Sequence, residues 1–153
     1  MSEAIKPGEN DILLVVDIQN DFCPDGALAV PEGDAVVPLI NRLMDRFSHV
    51  VLTQDWHTPG HSSFASAHPG KSPYETVEAS YGPQILWPDH CVQGTEGAQF
   101  RWDLDVTRAE LIVRKLGAPG VRIGVQHLHR QLAAFDLVED PVDDSSASLS
   151  ERP

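Results

Sequence analysis

Three short apolar runs, each delivering a charged side chain at its carboxyl end, restrict this chain more than any other feature. Ile12 to Val16 reads Ile-Leu-Leu-Val-Val and stops at Asp17. An unbroken run of that length predicts a strand buried on both faces of a parallel sheet, since a strand with one wet face would alternate. Val50 to Thr53 predicts a second strand ahead of Asp55, and Glu110 to Arg114 a third that leads into Lys115. Between the first two, Leu39, Ile40, Leu43, Met44 and Phe47 recur at helical spacing, which predicts a helix over Pro38 to Phe47 and hence a βαβ unit. The fold class is therefore α/β with a central parallel sheet. In such sheets ligands bind at the carboxyl ends of the strands, where Asp17, Asp55 and Lys115 are expected.

That edge is rich in metal-binding side chains. Residues 53–61 read Thr-Gln-Asp-Trp-His-Thr-Pro-Gly-His and residues 87–91 read Trp-Pro-Asp-His-Cys. Asp55, His57, His61 and His90 form a candidate site for a divalent metal, because one carboxylate and three imidazoles suit zinc, manganese or ferrous iron. Asp55 and His57 are two apart, so at the end of an extended strand they point to one side, and the Thr58-Pro59-Gly60 turn can return His61 toward them. A lone histidine beside an aspartate is more often a surface or hydrogen-bonding residue; the cluster at turn-flanked positions is what favours metal. His49, His68, His127 and His129 lack such company and read as solvent-facing or structural.

A length of 153 residues suits one domain. The net charge of −12 argues against nucleic acid or an anionic membrane as partner and leaves a small neutral molecule as the better fit. Two cysteines, Cys23 and Cys91, with no secretory signal and no apolar run of membrane-spanning length, point to a reducing cytoplasm. The stretch from Thr58 to Asp105 reads as a long functional loop, since it holds His61 and His90. Farther on, Val125 to Leu137 predicts one amphipathic helix, and the acidic, Ser-rich stretch from Glu139 predicts a disordered tail. The expected organisation is an α/β part over 1–120, a helix within 121–138 and a tail over 139–153.

Together, Val-Val-Asp17-Ile-Gln-Asn-Asp-Phe, the Asp55/His57/His61 cluster, Trp87-Pro-Asp-His-Cys-Val-Gln-Gly-Thr95 and Lys115 resemble the nicotinamidase/pyrazinamidase family of isochorismatase-like cysteine hydrolases, over roughly residues 11–117. The resemblance implies a three-layer α/β sandwich and hydrolysis of nicotinamide to nicotinate and ammonia, a step of NAD salvage. It implies a Cys-Asp-Lys triad beside a divalent metal, with Asp17 as the base that moves the thiol proton and Lys115 as the cation beside the thiolate. The metal would orient the substrate's pyridine nitrogen, and Phe22 and Trp87 would wall the ring. Gln19 and Asn20 would place polar groups near Asp17. The alternative for Asp17 is a helix N-cap, the weaker of its two readings; without the other motifs Lys115 reads better as a solvated strand end, and the two aromatics read equally as core.

One part of the pattern is missing. The family places its nucleophilic cysteine after the lysine, in a segment ending Asp-x-Cys-Val, whereas cysteine occurs here only at 23 and 91. The loss of resemblance near Gly117 reads as a frame change or truncation, which predicts a sheet incomplete at the C-terminus. An uncovered strand edge then favours a homo-oligomer. The chain is expected to hydrolyse nicotinamide poorly or not at all. Two alternatives stay open: a metal-binding remnant without catalysis, and a hydrolase that activates water on its metal.

Overall fold

The computed structural model describes residues 6–116. The helix expected within 121–138 and the tail over 139–153 lie outside the described residues. Strands β1 (Ile12–Val15), β2 (His49–Asp55) and β5 (Leu111–Lys115) form a wholly parallel sheet in the order β1-β2-β5. Helix α1 (Val37–Met44) connects the first two and completes the βαβ unit.

Burial follows position in the sheet. β2, the middle strand, carries Val50, Val51 and Leu52 buried in succession. β1 does not reach the two-faced burial expected of it: Val15 is buried, Ile12 to Leu14 are half-buried and Val16 is exposed. β1 has a single hydrogen-bonded neighbour among the described strands, so an apolar run that reads like a middle strand sits at an edge. The core gathers Val15, Val37, Met44, Val50, Leu52 and Leu104, with Ile40, Phe47 and Phe100 packed against it.

α1 buries Val37 and Met44, seven residues and two turns apart, and so on one face. Pro38 sits in the first turn, where its missing N–H removes no helical hydrogen bond. The helix stops at Met44 rather than Phe47, and the N–H of Arg46 bonds the Leu43 carbonyl across a tightened turn. Phe47 still reaches the core from beyond the helix end. Leu39, counted on the apolar stripe from sequence, is exposed.

The stretch from Thr58 to Asp105 is not structureless. It contains an antiparallel hairpin, β3 (Thr76–Ala79) with β4 (Gly82–Ile85), joined through Ser80 and Tyr81. Pro83 hid β4 from a sequence reading, because proline is tolerated in strands only where its nitrogen faces away from the ladder. Short 3-10 turns at Asn20–Phe22, Ala65–Ala67 and Val106–Arg108 shape the rest. No helix among the described residues is long and apolar enough to cross a membrane.

Leu52 is fully buried at the centre of the core. Leu52→Ala is expected to cost about 3 kcal/mol of stability by urea denaturation, against less than about 0.5 kcal/mol for Leu39→Ala on the exposed side of α1.

Candidate functional site

Parallel register brings three charged groups to one place. Asp55 lies opposite Lys115 across β2 and β5, and the N–H of Asp17 donates to the Thr53 carbonyl from the β1 side (3.2 Å). Lys115 Nζ donates to Asp17 Oδ2 and stands 3.0 Å from Asp55 Oδ1, so one ammonium joins both carboxylates. The Thr53 hydroxyl donates to the other Asp17 oxygen at 2.7 Å. Burial alone would raise the Asp55 carboxyl, but the adjacent His57 imidazole and the Lys115 ammonium outweigh it and hold the pKa at about 2. Burial pulls the Lys115 ammonium down while Asp55 and Asp17 push it up, and the carboxylates prevail. Asp17 caps no helix: the following 3-10 turn begins after Gln19.

On the far side of Asp55 lie the imidazoles. Donor atoms of Asp55, His57 and His90 all lie within 4.8 Å of one another, a group that could hold a metal ion. His57 comes from the chain just past β2. His90 comes from a distant loop that runs parallel to it, tied by the His57 N–H to the Cys91 carbonyl (2.9 Å) and the Gln93 N–H to the His57 carbonyl (2.8 Å). His57 Nδ1 is buried without a hydrogen-bond partner among the described residues, a costly state that a cation or a proton acceptor would relieve. His90 Nδ1 lies 2.8 Å from the Pro88 carbonyl, which can only accept; the proton is therefore on Nδ1 and the lone pair on Nε2. Burial, helped by the neighbouring His57, lowers the His90 pKa and favours this neutral form. A carboxylate beside neutral, oriented imidazoles fits a divalent cation.

His61 returns as the turn chemistry requires: its N–H bonds the Thr58 carbonyl (3.1 Å), and Gly60 takes a positive φ of 68° after Pro59. Its ring centroid is 4.9 Å from that of His57, and its Nδ1 lies 2.7 Å from Ser63 Oγ. The compact donor group nevertheless comprises Asp55, His57 and His90 without it. Phe22 lies beside His90, with ring centroids 5.7 Å apart. Trp87 is half-buried and its ring meets Tyr74 at 6.0 Å. Of the remaining histidines within the described residues, His49 pairs with Glu110 and His68 with the Ser62 carbonyl.

Sequence reasoning missed Phe64. It is fully buried, and its ring lies 5.4, 5.7 and 5.5 Å from those of His57, His61 and His90, forming the apolar floor of the cluster. Its position three residues after His61, where the Phe64 N–H closes a turn onto the His61 carbonyl, was the available signal. Thr53 and Ser63 were missed as well. Gln19 was expected near Asp17 and instead bonds the main chain of Asp55.

Cys91 does not have the surroundings of a nucleophile. Cys91 is buried, and burial followed by the charges of Asp55, Asp21 and Asp17 pushes its thiol well above the ordinary range. Cys23 is likewise buried, and both are free thiols.

A parallel α/β sheet whose carboxyl edge joins an Asp-Lys pair to a metal-suited carboxylate and imidazoles defines the class of this protein. The chain belongs to the isochorismatase family, whose isochorismatase domain matches residues 11–131. It is 51% identical over 111 residues to a nicotinamidase of Acinetobacter baylyi, covering 72% of this chain and 52% of that protein. Among solved structures, an Acinetobacter baumanii nicotinamidase pyrazinamidase superposes with a TM-score of 0.69 at 55% identity, over 72% of this chain and 53% of that one. The pyrazinamidase of Pyrococcus horikoshii in complex with zinc superposes with a TM-score of 0.54 at 38% identity, over 74% and 55%. The chain thus spans about half the length of the relatives it matches.

The depressed Asp55 pKa has a defined sign. Its stabilising contribution is fully present above the ordinary value of 3.8 and is lost as pH falls through about 2. Urea denaturation across that interval is expected to show a loss of stability in the parent that is absent in Asp55→Asn.

Proposed function

We propose that this chain carries the metal-holding and ring-orienting part of a nicotinamidase-type site, with a small neutral pyridine carboxamide as its ligand. The observation that carries this reading is the single Lys115 ammonium shared by Asp17 and Asp55, with Asp55 also in the imidazole group. The reaction class is hydrolysis of nicotinamide to nicotinate and ammonia, as the nicotinamidase relatives suggest. Asp55, His57 and His90 would hold the ion, with His61 as a further ligand, and zinc is the first choice given the zinc-bound pyrazinamidase. When bound, the ion would supply a Lewis acid that orients the pyridine nitrogen.

The chain's own residues divide the remaining work. Asp17, fixed by the Thr53 hydroxyl and by Lys115, is placed to hold and move a proton at its carboxylate. Lys115 keeps positive charge where an anionic nucleophile would form. Phe22 and Phe64 make the apolar surroundings of the imidazoles, and Trp87 is the candidate second wall for a bound ring. What the described site does not provide is the thiol. With Cys91 held protonated among carboxylates, these residues bind and orient an amide without an attacking group of their own. A cytoplasmic setting accords with two free thiols, and self-association through the exposed residues of β5 is proposed with it.

The purified chain is expected to bind one zinc ion per monomer by elemental analysis, and His90→Ala is expected to abolish that binding. Ammonia release from nicotinamide is expected far below the turnover of about 1 per second or more that is ordinary for enzymes. Enzyme-like turnover that resists thiol alkylation would instead establish water activation, and metal-free protein would overturn the site assignment.

A further inference from the structure

The segment that carries Asp17 also contains Gln19 and Asp21, whose side chains hydrogen-bond main chain rather than Lys115 or an imidazole. The backbone of β1 leaves the sheet at Asp17, a non-glycine residue in the left-handed region with φ 52°. Beyond Thr53, β2 therefore loses its backbone neighbour on that side. The Asp55 peptide is nevertheless satisfied. Its N–H donates to Gln19 Oε1 at 2.8 Å and its carbonyl accepts from Gln19 Nε2 at 2.8 Å, while the same nitrogen donates to the Ala98 carbonyl at 2.8 Å. A primary amide offers the donor and acceptor of a peptide group, so the Gln19 side chain stands in for the missing piece of strand. It is fully buried, which excludes water as a substitute partner.

Two residues later Asp21 performs a matching task on the other segment. Its Oδ2 accepts from the Cys91 N–H at 2.6 Å and its Oδ1 from the Ala27 N–H at 3.1 Å. The Cys91 peptide nitrogen is bonded directly to the carbonyl carbon of His90, and Cys91 itself is left-handed with φ 47°. Space for the carboxylate exists because residue 97 is glycine: a Cβ there would lie 2.2 Å from Asp21 Oδ2.

We propose that Gln19 and Asp21 are positioning residues for the metal group, Gln19 holding the main chain of Asp55 and Asp21 holding the main chain at His90. This rests on the reading of Asp55, His57 and His90 as metal ligands. Neither side chain touches the ion; each fixes the backbone from which a ligand projects. The two ligands come from β2 and from a loop 35 residues later, and Gln19 and Asp21 sit on one short turn between them. Their spacing therefore helps set the spacing of the donors.

Zinc affinity of the full chain, measured by competition with a chromogenic chelator, tests this alongside thermal melting. Gln19→Leu and Asp21→Asn are expected to weaken zinc binding about 10- to 100-fold. Met44→Ala, which opens a cavity in the core away from the site, is expected to lower the melting temperature while leaving zinc affinity unchanged. Parent-like zinc affinity in both site variants overturns the proposal, as does an equal loss of affinity in Met44→Ala at equal loss of stability, which would reveal a merely structural effect. A parent chain that binds no zinc strikes the ligand assignment itself, a result distinct from either. Should Gln19→Leu fail to fold, Asp21→Asn and Gly97→Ala decide, the latter displacing the Asp21 carboxylate without removing it.

Discussion

One ammonium between two carboxylates holds this site together. Lys115 at the end of β5 meets Asp17 beyond β1 and Asp55 at the end of β2, so the three groups span all three strands of the parallel sheet. Without the cation, two partly buried carboxylates would face one another with their repulsion uncompensated. With it, Asp55 stays charged far into acid. Parallel pairing is what makes the meeting possible, because it delivers every strand's carboxyl end to the same edge. An uncompensated buried charge costs several kcal/mol, so the three side chains stand or fall together.

Asp55 then belongs to two neighbourhoods at once. One of its oxygens faces Lys115 and the other lies 3.7 Å from His57 Nε2. On the proton-handling side the partners are a hydroxyl and an ammonium; on the imidazole side they are rings packed on Phe64. That apolar floor has an electrostatic consequence. It helps keep water from the imidazoles, and burial favours the neutral, ligand-competent form of His90. A single carboxylate shared between a polar half and a dry half couples whatever a cation does on one side to the charge balance on the other.

The backbone carries strain where the site needs it. Asp17 and Cys91 both adopt left-handed conformations, which cost of order 1 kcal/mol or more for residues with a Cβ. Each is restrained by named bonds: the Thr53 hydroxyl and Lys115 on the Asp17 side chain, and the Asp21 carboxylate on the Cys91 N–H. The bend at Asp17 turns the chain out of the sheet so that Gln19 can reach Asp55. In both places the unfavourable φ is offset by hydrogen bonds that a regular strand would not have formed.

Much of this was readable before any coordinate. The three strands of the parallel sheet came from unbroken apolar runs, the connecting helix from its period, and Asp55, His57, His61 and His90 as candidate ligands from residue type and turn-flanked spacing, because local periodicity and ligand chemistry are written directly in the chain; the roles of Asp17 and Lys115 came from the family resemblance. The helix end was not: Phe47 keeps the period but sits past a turn closed by Arg46. β1 read as doubly buried since composition reports apolarity, whereas burial depends on which strand lies in the middle. Thr53, Gln19 and Asp21 were invisible or misplaced because each acts across a long stretch of sequence, on the Asp17 carboxylate, on the Asp55 main chain or on the Cys91 N–H, and Phe64 joins its near neighbours His57 and His61 to the distant His90 ring. Sequence determined which side chains were available and on which kind of element. Only tertiary structure decided which of them share a volume a few ångströms wide, since that follows from strand register and chain reversal, properties of pairs of segments that neither segment encodes alone.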